Sequence, residues 1–142
     1  MVTDEHSFEN SPGPLEAVGG LRMTRQRREV FRVLNRDMDH PTANDVFMKV
    51  KEGLPSVSLA TVYNCLEALV QHRLVRQVNF ERGPSRYCPN LSEHGHFHDM
   101  ASNTIHDVVF KPGVELSDFI ILPEGAVIEN VEITLRGKLP SA

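Results

Sequence analysis

The sequence predicts an α+β fold in two parts, an N-terminal winged helix-turn-helix followed by a small α/β dimerisation domain. Three observations predict it. Apolar residues recur at helical spacing in three stretches between residues 24 and 71, each opened by a capping residue; a Val-rich pair of extended segments follows; and from His94 onward the pattern changes to alternation. The implied organisation is a polar tail over residues 1–13, a first domain over 14–89 and a second over 90–142.

The tail, MVTDEHSFENSPG, lacks periodicity and reads as disordered, and Pro14 to Val18 has room for one helical turn before the Gly19-Gly20 break. Thr24 caps a helix running to about Asn35, with Val30, Phe31 and Leu34 as its buried stripe. His40-Pro41 forces a turn, and Thr42-x-x-Asp45 opens a second helix as a capping box, with Ala43, Val46, Phe47 and Val50 inward until Gly53 and Pro55. Ser58 caps a third helix whose stripe is Leu59, Val62, Leu66, Leu69 and Val70. Leu74 to Phe80, a turn at Glu81-Arg82-Gly83-Pro84 and a strand around Arg86-Tyr87 form the hairpin, or wing.

In the second part His94 to Met100, Ile105 to Phe110 and Val127 to Arg136 read as strands. In the last of these, Val131, Ile133 and Leu135 alternate with polar residues, implying one buried face. Leu116 to Leu122 is a short helix or a loop. So few core positions in about 50 residues make an isolated copy marginal, so pairing into a homodimer is expected.

The net charge of -4 conceals an asymmetry. Residues 1–90 hold 12 Lys+Arg against 11 Asp+Glu, whereas residues 91–142 hold 3 against 8. Residues 22–36 alone carry six arginines and one acid, Glu29, a local +5 that suits phosphate. No run of about 18 apolar residues offers a membrane span, and the first twenty residues lack the features of a secretion signal, so the expected location is the cytoplasm. Two cysteines, Cys65 and Cys88, are too few for a disulfide scaffold and are read as thiols.

Two constellations carry chemistry. The third helix exposes Ala60, Thr61, Tyr63 and Asn64, whose amide, ring and hydroxyls suit base edges or the sugar-phosphate backbone. On a lone helix this would be an ordinary solvated face, but beside the arginine face, which includes Arg22, Arg25 and Arg28, it points to double-stranded DNA. The second constellation is His94-x-His96-x-His98, with His106-Asp107 about ten residues on, Cys88 just before and His40 far upstream. Alternation puts the first three imidazoles on one strand face, where they can converge on a borderline cation; solvated strand histidines are the competing reading.

The stretches Leu21-Arg-Met-Thr-Arg-Gln-Arg27, His40-Pro-Thr-Ala-Asn-Asp-Val-Phe47, Ser58-Leu-Ala-Thr-Val-Tyr-Asn64 and Ser85-Arg-Tyr87, followed by His94-x-His96, resemble the Fur superfamily in order and spacing. Tyr63-Asn64 and the His-Pro-Thr-Ala segment look more like its peroxide-responsive branch. The resemblance implies a homodimeric transcription regulator, a repressor, that binds A/T-rich pseudo-palindromic operators when loaded with one regulatory divalent metal per subunit, Fe2+ or Mn2+ and alternatively Zn2+. Carried over by position, the ligands are His40, His94, His96 and Asp107, with His98 and His106 as weaker candidates. Cys88 stands where the family usually has a carboxylate, and a thiolate favours softer ions. The two CxxC pairs that hold a structural zinc in most members are missing: the first would fall at Asp99 and Ser102. No structural zinc is therefore expected, as in some peroxide-sensing and haem-responsive (Irr-like) members.

The resemblance further implies metal-catalysed oxidation by peroxide at His40 or His94, or thiol oxidation at Cys88, as the input signal. Plain iron, manganese, zinc or haem responsiveness is the alternative within the same class. A metal-dependent enzyme or storage module is the alternative of a different class, and beyond the ligands the sequence offers no catalytic acid, base or pocket for it.

Overall fold

The computed structural model describes residues 17–80 and 83–141. The chain divides into two compact units, one ending at Leu91 and the other starting at Ser92. The proposed tail over residues 1–13, Pro14 to Glu16, and Glu81 and Arg82 of the wing turn lie outside the described residues.

Among the described residues the first unit begins with a hairpin, whose first strand takes Ala17 and Val18, the end of the stretch expected to make a helical turn. Strands β1 (Ala17–Val18) and β2 (Leu21–Arg22) pair antiparallel. Gly19 and Gly20 between them both have positive φ, 55° and 78°, as the tightest hairpin turns require. The glycine pair thus closes a hairpin instead of ending a helix.

Helix α1 (Arg25–Asp37) is capped by Thr24, whose Oγ1 accepts from the Arg27 amide at 3.2 Å. Helix α2 (Ala43–Gly53) begins with the predicted capping box: Thr42 Oγ1 accepts from the Asp45 amide, and the Asp45 carboxylate accepts from the Thr42 amide. Helix α3 (Leu59–Gln71) is capped by Ser58. Val30, Val33, Leu34, Val46, Val50, Val62, Leu66 and Leu69 interlock as the core, each at most 1% exposed. At roughly 1.5–3 kcal/mol for each fully buried aliphatic side chain, these eight supply most of the apolar stabilisation of the unit.

The details differ from the expectation at several positions. Val33 takes the buried place assigned to Phe31, which is only half-buried. Phe47 is likewise half-buried, while Leu59, in the first turn of α3, is 37% exposed. Cys65 joins the core in that helix instead, behaving as a small hydrophobe whose thiol burial pushes its pKa up.

The wing consists of β3 (Arg76–Val78) and β4 (Arg86–Cys88), antiparallel and shorter than the sequence suggested. On its other side β4 is stitched to the turn before α2. Thr42 and Arg86 form a bridge, and the Tyr87 amide donates to the Pro41 carbonyl at 2.9 Å.

The second unit is a three-stranded sheet in the order β6-β5-β7, made of β5 (Gly95–Asp99), β6 (Thr104–Val108) and β7 (Thr134–Gly137). β5 runs antiparallel to β6 and parallel to β7. A Cβ added to Gly95 would stand 3.1 Å from the Ile133 carbonyl oxygen, which accepts the His96 amide, so the approach of the chain into β7 needs glycine there. The strand expected over Val127 to Arg136 is ordered into the sheet only from Thr134, and its inward face is not covered: Leu135 is 48% exposed. Leu116–Asp118 is a single 3-10 turn, settling the choice between helix and loop.

Candidate metal centre

In the second unit the ligand geometry follows from the register of two strands. His96 on β5 lies directly opposite Asp107 on β6, and His94 sits just ahead of β5. The Nε2 atoms of His94 and His96 are 3.2 Å apart, and Asp107 Oδ1 lies 3.4 Å from the first and 3.7 Å from the second. Three donors bound at about 2.0–2.1 Å in a tetrahedral arrangement would be about 3.4 Å apart, so the triangle has the size that one small cation requires.

The protonation pattern points the same way. His94 Nδ1 is 2.6 Å from the Ser92 carbonyl oxygen. A carbonyl can only accept, so Nδ1 carries a hydrogen, which leaves Nε2 as the atom able to offer a lone pair toward His96 and Asp107. A backbone carbonyl holding the far nitrogen is the usual support of a metal-binding imidazole. Two lone-pair nitrogens and a carboxylate oxygen this close, with both rings buried, need a proton or a cation between them. The donor set of two imidazoles and one carboxylate fits a borderline divalent ion such as iron, manganese or zinc.

The remaining histidines of this unit separate cleanly. His106 pairs with Phe97, on the sheet face opposite Asp107, is exposed, and places its Nε2 3.1 Å from Thr104 Oγ1. His98 shares the face of His96, but its Nε2 is taken by Asn103 Oδ1 at 2.7 Å. Asn103 lies in a left-handed turn with φ of 58°, which aims its side chain back at the strand.

In the first unit His40 and Cys88 are both buried, with ligand atoms within 4.8 Å of each other. They are adjacent because the Pro41–Thr42 turn pairs with β4. Arg86 Nη1 also donates to the His40 carbonyl at 3.1 Å. Sequence reasoning gave no role to Arg86 or to Ser92; the Thr42–Arg86 pairing spans too many residues for any local pattern to reveal it.

The DNA-facing candidates are also placed. Ala60, Tyr63 and Asn64 are exposed on α3, whereas the Thr61 hydroxyl is engaged at the helix start, 2.9 Å from Ser58 Oγ. Arg22 and Arg25 are exposed and Arg28 half-buried. The arginine stripe is less uniform than its sequence suggests. Arg32 pairs with Glu29, and Arg36 pairs with Asp37, which Lys49 also contacts at 2.7 Å. Arg36 and then Lys49 hold the Asp37 carboxyl well below the usual range, so it remains an anion at any physiological pH.

A winged unit with three helices among its described residues, followed by a small sheet bearing a two-histidine, one-carboxylate triangle, defines a winged-helix protein with a candidate metal site in its sheet. The chain belongs to the ferric uptake regulator family, whose model matches residues 18–136. It is 42% identical over 78 residues to the ferric uptake regulation protein of Bacillus subtilis, covering 54% of this chain and 52% of that one. It is 31% identical over 94 residues to the peroxide-responsive repressor PerR of Staphylococcus aureus, covering 66% of this chain and 62% of the relative. The aligned stretches therefore span only about half to three-fifths of these relatives. Over longer spans the fold itself matches: the ferric uptake regulator of Pseudomonas aeruginosa with manganese superposes with a TM-score of 0.70 at 22% identity, over 99% of this chain and all of that chain. These relatives carry the names of regulators and a repressor, not of enzymes.

The triangle and its register predict that His96→Ala lowers affinity for Mn2+ at least tenfold in a competition titration against a chromophoric chelator. His106→Ala, on the opposite sheet face, is expected to leave it within twofold. Equal losses in both variants would show that the triangle is not the site.

Proposed function

We propose that the protein is a metal-dependent, DNA-binding transcription regulator, a repressor, in which one divalent ion is held jointly by His40 and Cys88 of the first unit and His94, His96 and Asp107 of the second. The observation that carries this reading is the triangle of two Nε2 atoms and one carboxylate oxygen with edges of 3.2, 3.4 and 3.7 Å. Three donors leave a first-row ion short of its usual four to six, and His40 and Cys88 are the buried donors of the other unit that complete the shell. When bound, the ion supplies a fixed link between the two units, so that both recognition helices of a dimer can meet successive major grooves.

The exposed face of α3 with Ala60, Tyr63 and Asn64 reads bases, Thr61 supports the start of that helix, and Arg22, Arg25 and Arg28 meet phosphate. The target is an A/T-rich pseudo-palindrome. A homodimer is favoured by the second unit's lack of a core: Ile105 is its only large apolar residue below 9% exposure among the described residues, while Phe119, Ile121 and Val127 are 72%, 101% and 84% exposed.

The physiological ion is Fe2+ or Mn2+. A thiolate at Cys88 would also accommodate Zn2+. A second, structural zinc is not part of this reading; where the first cysteine pair would fall, Ser102 Oγ donates to Asp99 Oδ2 at 2.7 Å and the Ala101 amide to Oδ1 at 3.0 Å.

If DNA prefers the ion-linked form, metal and operator binding are coupled by about 1–3 kcal/mol, or 5- to 150-fold. A salt-dependent gel shift on an A/T-rich palindrome is expected to strengthen by that factor with Mn2+ and to revert with chelator. Binding undiminished by chelator would contradict the reading.

The preferred signal is peroxide, and the similarity to PerR supports it. With ferrous iron loaded, peroxide is the oxidant and a ligand imidazole, His40 or His94, gains one oxygen atom while the other leaves as water. Mass spectrometry is expected to show +16 on one of these histidines. An oxygen adduct on Cys88 alone would shift the reading to thiol sensing, and no change would favour a plain metal sensor.

A further inference from the structure

Cys88 and His40 lie at opposite ends of a short chain of backbone pairings within the first unit. β4 is the middle member of a three-layer ladder: Arg86 pairs with Val78 of β3 on one side and with Thr42 on the other. The Tyr87 amide donates to the Pro41 carbonyl at 2.9 Å, and the Tyr87 side chain is buried in the core. Arg86 adds a side-chain bond from Nη1 to the His40 carbonyl at 3.1 Å. The residue that bears one donor is thus held by the strand that bears the other. That strand is also half of the wing.

We propose that Arg86 is a positioning residue that transmits ion binding at His40 and Cys88 to the wing. The inference rests on the reading that these two residues ligate the regulatory ion. Coordination fixes the separation of the His40 ring and the Cys88 sulfur. The two main chains that carry them are then fixed relative to one another, and the pairing of Pro41–Thr42 with β4 tightens. Arg86 joins those main chains at the point nearest His40, so the gain in order passes through it into the β3–β4 ladder. The described outer end of the ladder inherits that order through Gln77, Asn79 and Ser85, whose side chains are hydrogen bonded to one another at 2.5–3.5 Å. Ion binding therefore has two outputs: a link between the units, and a stiffened wing that acts entirely inside the DNA-binding unit.

The second output has a signature that a linked pair of units alone would not produce. Native-state hydrogen exchange of the full chain is measured with and without Mn2+, following the amides of β3 and β4 in the absence of DNA. In the parent protein Mn2+ is expected to slow exchange of the Val78 and Arg86 amides at least fivefold. In Arg86→Met, which keeps the aliphatic stem but not the donor, the slowing should fall below twofold, while Mn2+ still protects Ile105 in β6. Arg86→Lys, which restores a donor, should recover most of it.

Cys88→Ser tests the same route from the ligand side, independently of any folding defect in the arginine variants. It should lose the wing protection yet retain protection near Ile105. Full wing protection in folded Arg86→Met, or in Cys88→Ser, would overturn the proposal, as would absence of Mn2+-dependent wing protection in the parent protein when Ile105 is protected. Failure of Mn2+ to protect either unit of the parent protein would instead overturn the proposed function itself.

Discussion

The proposed regulation depends on two imidazole nitrogens held 3.2 Å apart with a carboxylate oxygen closing the triangle. Left dry and without a cation or a proton, such an arrangement is electrostatically costly, because lone pairs and a negative charge face one another in a region from which water is largely removed. The chain invests structure in maintaining it. Ser92 fixes the tautomer and the ring of His94, the antiparallel register sets His96 against Asp107, and Gly95 lets the approach to β7 pack tightly against the strand that bears both histidines. A cation among these donors would remove that repulsion, which is the basis of the proposed metal response.

The two units differ in what stabilises them. The winged unit has a closed apolar core and three properly capped helices, so its fold stands on burial and local hydrogen bonding. Among the described residues the sheet unit buries three histidines, an aspartate and Ile105, and leaves Val109, Ile121 and Val127 in solvent. In the proposed function its order is completed by an ion at the triangle and a second copy over the exposed strip. This division suits a sensor. On the proposed function, the reading element stands on its own core and the responsive element gains order from its ion and its partner.

Local signals in the sequence were sufficient where the structure is local. Thr24, Thr42 and Ser58 mark the three helix starts, because capping chemistry acts over three residues. Alternation identified His94 and His96. What lay beyond it were choices that need a partner strand: only the register of β5 against β6 puts Asp107 on the ligand face and His106 on the other. The Val127–Arg136 strand shortened for the same reason, since alternation marks a face able to be buried and β5 offers pairing only from Thr134. Gly19-Gly20 was read as a break because its hairpin partners are two residues long and carry no pattern of their own. Arg86 was legible only as a wing-strand residue, because its contacts with His40 and Thr42 are purely tertiary.

The central claim is that a single ion draws ligands from both units, one of them a thiolate. Cobalt(II) titration followed by optical absorption tests it directly, because a Co–thiolate bond produces a charge-transfer band that imidazole and carboxylate ligands do not. The account predicts one Co2+ per chain with that band present, lost in Cys88→Ser, and a weakened affinity in both His40→Ala and His96→Ala. A single Co2+ bound with unchanged affinity in His40→Ala and without the thiolate band would confine the ion to the sheet unit and contradict the account.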